Sequence, residues 1–389
     1  MYSIHDADLA RMFSQSVPRL EDHADKWRRY AGQDVIPMWV ADMDLASPQP
    51  VIEALQARVA RGHFGYTKAW PSLQQAVCAW LERQHGWAAD PSWLVWLPGV
   101  VQGFNAAQKL WGSATSQTVI QTPNYPPLRN VTEKYGHGQT LIGSVLENDV
   151  WRTDWNALES ALSAPETRLL HLCNPMNPEG TVWRQDDITR LAALCDQHDV
   201  MVCSDEIHAD LILETSVKHC PAGAQPLLTQ RSVTLMAASK TFNIAGLACA
   251  FAIIPNAYQR AAFKDTLSHE TGEVNALALV ATEAALTRCD DWHAALLQHL
   301  RQQRDQLATV LKGTSVHYRP ASATHLAWLD CRDWAVNPYE HMLAHGLGLS
   351  DGDAFGCPGF LRLNFACGTD LFELAMERLT RAVTSAPLK

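Results

Sequence analysis

Between Trp93 and Ile254, short apolar runs alternate with amphipathic stretches of helical spacing, and this alternation leaves few folds open. Trp93-Leu-Val-Trp-Leu97, Thr118-Val-Ile-Gln121, Thr140-Leu-Ile142, Arg168-Leu-Leu-His-Leu-Cys173, Val200-Met-Val-Cys203, Ser232-Val-Thr-Leu235 and Leu247-Ala-Cys-Ala-Phe-Ala-Ile-Ile254 read as strands. Val101–Trp111, Asp154–Leu162 and Asp186–His198 read as helices between them. Strands this apolar need cover on both faces, which makes the expected fold α/β, a mostly parallel sheet wrapped by helices. Upstream, Pro48 and Pro50 open a helix with Val51, Ile52, Leu55 and Val59 at helical spacing. A loop at Gly62-His-Phe-Gly-Tyr66 follows, then a second helix from Pro71 that stops at Gly86. Beyond Pro255 long helices take over, roughly Ala257–His269, Glu273–Thr287 and Asp291–Lys312. An α+β segment closes the chain, with strands near Leu326–Leu329 and Phe360–Phe365. The expected organisation is a segment 1–47 joining a small domain, a large domain 48–285, and a small α+β domain 286–389 built with that segment.

Composition narrows the function classes. A formal net charge of −10 with no cluster of Lys and Arg excludes a nucleic-acid partner. No stretch approaches the ~20 apolar residues of a membrane span. The ten cysteines are scattered without a Cys-x-x-Cys pair and read as reduced core residues; no metal site is expected. The start, Met1-Tyr-Ser-Ile-His-Asp-Ala-Asp8, is acidic and lacks the basic, then apolar, pattern of a secretory signal, so a cytoplasmic location is expected.

Three polar features sit just past expected strand ends, along one edge of the sheet: Asn174-Pro-Met-Asn-Pro-Glu-Gly180, Asp205-Glu-Ile-His-Ala-Asp210 and Ser239-Lys240. Taken singly, they read as a turn, a helix cap and a solvated loop lysine. Together they place an amine, a carboxylate and an amide where open α/β sheets bind ligands. That set matches the needs of pyridoxal phosphate: a lysine for its aldehyde, a carboxylate for its ring nitrogen, and an asparagine or histidine for its ring hydroxyl. Gly99-Val-Val-Gln102 adds a helix start with free amides suited to phosphate, and Tyr125 follows a strand end where a ring could stack.

These residues resemble the fold-type I pyridoxal-phosphate enzymes, the aspartate-aminotransferase superfamily, over nearly the whole chain. A narrower likeness, to the MalY/PatB-type cystathionine β-lyases, rests on Met38-Trp-Val-Ala-Asp-Met-Asp44, Phe64-Gly-Tyr66, Asn174–Gly180, Asp205–Asp210 and Ser239-Lys-Thr-Phe-Asn-Ile-Ala-Gly-Leu247. The resemblance implies that Lys240 anchors the cofactor and moves the proton, Asp205 meets the ring nitrogen, and Asn177 meets the ring hydroxyl with His208 nearby. It implies Tyr125 stacked on the ring. Val100, Val101, Ser239 and Tyr66 would serve the phosphate, Tyr66 reaching in from a second subunit of a homodimer. Arg362 would grip the α-carboxylate of an amino-acid substrate, beside Asn177. The chain departs from the pattern at Cys367-Gly-Thr369, at Met176 and at Ala237, the first two on the substrate side.

The implied reaction is α,β-elimination from cystathionine or another L-cysteine S-conjugate, giving a thiol, pyruvate and ammonia. Two alternatives stand beside it. The same residues could run transamination, and some members of this branch also bind a regulatory partner.

Overall fold

The computed structural model describes residues 12–389 apart from 18, 20, 148 and 149. The acidic start at residues 1–8 lies outside the described residues. The central sheet has eight strands: β1 (Leu94–Leu97), β2 (Gln117–Thr122), β3 (Gly138–Glu147), β4 (Val150–Thr153), β5 (Thr167–Cys173), β6 (Met201–Asp205), β7 (Ser232–Met236) and β8 (Ala250–Ile253). Their spatial order is β1-β8-β7-β6-β5-β2-β3-β4. The pairs from β7 through β6, β5 and β2 to β3 are parallel, whereas β8 runs antiparallel to both of its neighbours. The last two strands form a hairpin absent from the sequence expectation, which stopped near Ile142. Only Ile142 of β3 is buried, so the edge lacks the apolar run that marks the central strands.

Covering the sheet and flanking it are α1 (Gln49–Ala60), α2 (Pro71–His85), α3 (Val100–Trp111), α4 (Trp155–Ser163), α5 (Gln185–Gln197), α6 (Ala257–Ser268), α7 (Ala276–Arg288), α8 (Asp290–Leu311) and α9 (Thr369–Ser385). Successive strand residues point to opposite faces. Leu169, Cys203, Val233 and Leu235 therefore pack with Phe104 and Phe263 on one side, while Leu170, Leu172 and Val202 pack with Ile188 and Leu191 on the other. Each fully buried side chain of this size is worth roughly 1.5–3 kcal/mol. Gly103 sets the closest approach of α3 to the sheet, because a Cβ there would stand 2.6 Å from Leu235 Cδ2. All ten cysteines are free and seven are buried. No described helix is long and apolar enough to cross a membrane.

A second, antiparallel sheet is formed by β9 (His317–Tyr318), β10 (Leu326–Asp330), β11 (Ser350–Asp351) and β12 (Phe360–Asn364), in the order β9-β10-β12-β11. The segment before α1 joins this unit: Ile36–Pro37 pairs in parallel with Leu347–Gly348, and Asp44 bridges to Cys367. In the large sheet the chain winds outward from β2 to β3, returns to β5, and then winds the other way through β6 to β7. The crevice at that reversal lies at the carboxyl ends of β2, β5, β6 and β7. Asp205 closes β6, and Tyr125, Asn177 and Lys240 follow the ends of β2, β5 and β7.

Candidate active site

A cavity of 760 Å³ opens at this edge, and Lys240, Asp205, Asn177, His208, Tyr125, Val100, Val101, Ser239 and Arg362 all line it. Asp205 ends β6 and is buried; its Oδ1 accepts the Ile207 amide at 3.1 Å, and its Oδ2 accepts the Tyr125 hydroxyl. Burial pushes the Asp205 carboxyl up to about 6, with the Tyr125 and Ile207 donors pulling the other way. No described Lys, Arg or His comes within 4 Å of it. Lys240 stands four residues past the end of β7 and donates from Nζ to the Ala41 carbonyl at 2.8 Å. Burial lowers its pKa, opposed by Asp42 and Asp205 and reinforced by Arg362.

Helix α3 opens at Gly99, and no side chain caps it, so its first amides, from Val100 onward, have no partner within the helix. His208 is buried with its Nδ1 unpaired, and burial, with Lys240 and Arg362 nearby, holds it neutral down to about 3. Gly180 shapes the loop that carries Asn177. Its φ is +68°, and a Cβ there would lie 2.4 Å from Ala321 Cβ and 2.7 Å from the Ala323 carbonyl.

Arg362 projects from β12 and is buried. Its Nη1 donates to Asn177 Oδ1 at 2.8 Å, its Nη2 to the Trp39 carbonyl at 2.7 Å, and the Phe355 ring lies 4.8 Å from Cζ. Its Nε is buried without a partner, and no described carboxylate lies within 4 Å. Burial lowers its pKa to about 10.

The stretch 39–44 is a strap across the site, held from both sides. Asn364 Nδ2 donates to the carbonyls of Val40 and Asp42, each at 2.5 Å, while Asn243 Nδ2 donates to those of Met43 and Leu45. Beneath it, buried Asp44 accepts Lys26 Nζ at 2.6 Å, Trp27 Nε1 at 2.8 Å and Arg19 Nη1 at 3.0 Å. Sequence reasoning singled out residues 38–44 without assigning them a task; their task is to present two carbonyls, Trp39 to Arg362 and Ala41 to Lys240. Ser350, whose Oγ donates to the Trp39 carbonyl at 2.9 Å and accepts Arg362 Nη2 at 3.4 Å, is a further residue that it missed, with Phe355, Asn243 and Asn364. Asn243 lay inside the Lys240 motif, and Ser350 and Phe355 carried no signal.

The motif at 205–210 divides its work. Asp205 and His208 face the cavity. Glu206 accepts Ser204 Oγ and the Ala222 amide and pairs with His219, while Asp210 accepts Trp80 Nε1 and pairs with His85. Tyr66 alone stands apart: it is fully exposed and does not line the cavity of its own chain.

A mostly parallel sheet with a lysine and a carboxylate at its carboxyl edge, faced by a buried arginine from the second sheet, defines a class of cofactor-dependent amino-acid enzymes. The chain belongs to the aminotransferase class I and II family, whose model matches residues 33–379. It is 35% identical over 387 residues to cystathionine beta-lyase PatB of Bacillus subtilis, covering 96% of this chain and all of that one. It is 31% identical to protein MalY of Escherichia coli, covering 95% of this chain and 98% of the other. Among solved structures, the crystal structure of OvoB superposes with a TM-score of 0.92 at 39% identity, covering 96% and 99% of the two chains. Cystalysin from Treponema denticola, containing a pyridoxal 5′-phosphate cofactor, superposes with a TM-score of 0.92 at 25% identity, covering 96% and 98%.

Proposed function

We propose that this chain is a pyridoxal-phosphate-dependent carbon–sulfur β-lyase that converts L-cystathionine or a related L-cysteine S-conjugate to a thiol, pyruvate and ammonia. The observation that carries the reading is a pair of unmet charges in one cavity: among the described residues, buried Asp205 has no cation within 4 Å, and buried Arg362 has no carboxylate. A protonated ring nitrogen answers the first, and a substrate carboxylate answers the second. The remaining residues fit the same cofactor: Lys240 for its aldehyde, Asn177 and His208 for its hydroxyl, and Tyr125 for its ring face. The Val100 and Val101 amides, Ser239, and Tyr66 of the partner subunit suit its phosphate.

When bound, the cofactor supplies an electron sink that lets a proton leave the substrate Cα and a thiolate leave Cβ. Arg362 orients the substrate by a bidentate grip on its carboxylate. Lys240 Nζ takes the Cα proton, a task helped by the burial that favours its neutral form. The Ala41 carbonyl aims that amine, and Asp205 keeps the proton on the ring nitrogen. Exposed Tyr66, beside Phe64 at 61% exposure, supports an active unit that is a homodimer, with each Tyr66 completing the other site. A cytoplasmic location goes with this reading.

The test is incubation with cystathionine while pyruvate and free thiol are assayed together. Equal release of both, lost in Lys240→Ala, is expected. Transfer of the amino group to a 2-oxo acid, with no thiol released, overturns the reading in favour of an aminotransferase.

A further inference from the structure

We infer that Arg29, at the cavity mouth, selects S-conjugates whose departing thiol carries a carboxylate; the inference rests on the lyase reading above. Arg29 lines the same cavity as Lys240 and Arg362. Its guanidinium lies 4.7 Å over the Trp39 ring, and its Nη2 donates to the Tyr339 hydroxyl at 3.2 Å. No described carboxylate comes within 4 Å of it. The Trp39 ring is itself fixed, because its Nε1 donates to the Lys26 carbonyl at 3.1 Å. An exposed arginine ordinarily samples many rotamers; this one is stacked and hydrogen-bonded, so its remaining donors are presented at little further entropic cost.

Trp39 links the two cations of the cavity. Its carbonyl receives Arg362, and its ring carries Arg29. The two guanidiniums therefore stand at opposite ends of one residue, Arg362 deep in the cavity and Arg29 near solvent. Leu349, Phe355 and the Tyr339 ring join Trp39 in the lining and suit a thioether and its methylenes. A substrate that satisfies both ends is an amino acid held by its own carboxylate, with a second carboxylate on the far side of sulfur. A chain ending in an ammonium would be repelled by Arg29.

The test uses two near-isosteric substrates, S-(2-carboxyethyl)-L-cysteine and S-(2-carbamoylethyl)-L-cysteine, which differ in the distal charge. The readout is the ratio of their kcat/KM values for pyruvate release. Calorimetric Kd values for the same pair are measured on Lys240→Ala protein with and without Arg29→Leu. An exposed but pre-organised ion pair should favour the carboxylate about three- to fivefold. Arg29→Leu should bring both ratios to about one, and Arg29→Lys should keep part of the preference. An unchanged preference in Arg29→Leu, or none in the parent protein, overturns the inference. If no conjugate releases pyruvate, the lyase reading falls, while the Kd ratio still decides the role of Arg29.

Discussion

Replacing Lys26 by methionine, and separately Asp44 by asparagine, should destabilise the protein by unequal amounts. Both side chains are about 1% exposed, and their atoms meet at 2.6 Å. Removing Lys26 strips Asp44 Oδ2 of its donor but leaves Oδ1 held by Arg19 and Trp27, so the carboxylate stays paired. Neutralising Asp44 leaves the Lys26 ammonium, among the described residues, with the Asp42 carboxylate at 3.7 Å and the Asp42 carbonyl at 3.5 Å. Breaking a buried pair by removing one partner costs about 3–5 kcal/mol, the range expected for Asp44→Asn. For Lys26→Met, whose chain fills much the same volume and whose partner keeps a cation, about 2 kcal/mol is expected. Urea unfolding of the two single variants and the double variant measures both costs and their coupling, with the double variant costing less than the sum. The strap rests on this pair, so both variants should also raise KM through the loosened Trp39 carbonyl. Lys26→Met as costly as Asp44→Asn, or a midpoint that neither variant moves, would refute this unequal dependence on the two partners.

Burial pushes the Glu179 carboxyl up to about 8 against an unfolded value near 4.5. The folded protein thus holds a proton that the unfolded chain has lost, and stability should fall as pH rises between these values. Glu179→Gln should flatten that fall and stabilise the protein above pH 8 by a few kcal/mol, measured as thermal midpoints across pH. Gly180→Ala forces a Cβ against Ala321 at a positive φ and should cost about 2–4 kcal/mol in unfolding titrations while weakening substrate binding through Asn177. Mixing Lys240→Ala with Tyr66→Phe protein should regenerate one intact site per hybrid dimer, recovering turnover that neither variant shows at limiting cofactor. No recovery after subunit exchange would argue against a shared site.

The central sheet was legible because its inner strands are buried on both faces, so runs such as Leu169–Cys173 stay apolar at every position but one. The β3–β4 hairpin was not, because its exposed edge mixes Ser144, Val145, Leu146 and Glu147 without a dominant period. Lys240 and Asp205 stood out as charges just past apolar runs, whereas Arg362 was singled out only by the family resemblance. The strap at 39–44 did not reveal its task, since it acts through carbonyls, and every residue carries one. Arg29 was equally silent: nothing in the sequence shows which ring an arginine will stack on.

The strap also sets when a newly made chain can become an enzyme. Asn364 clamps a carbonyl 322 positions earlier in the sequence, and β12 supplies Arg362 beside it. At about 5–20 residues per second, a ribosome spends roughly 15 seconds to a minute between making Asp42 and making Asn364. In the last part of that interval, once Ala250–Ile253 has been made, Lys240 and Asp205 can be in place on a folded sheet while the amine lacks a firmly held Ala41 carbonyl and the substrate lacks its arginine. Competence is therefore conferred late and all at once, by the strand that joins the two remote stretches of chain. A nascent polypeptide halted before Phe360 should bind substrate poorly, however complete its central sheet.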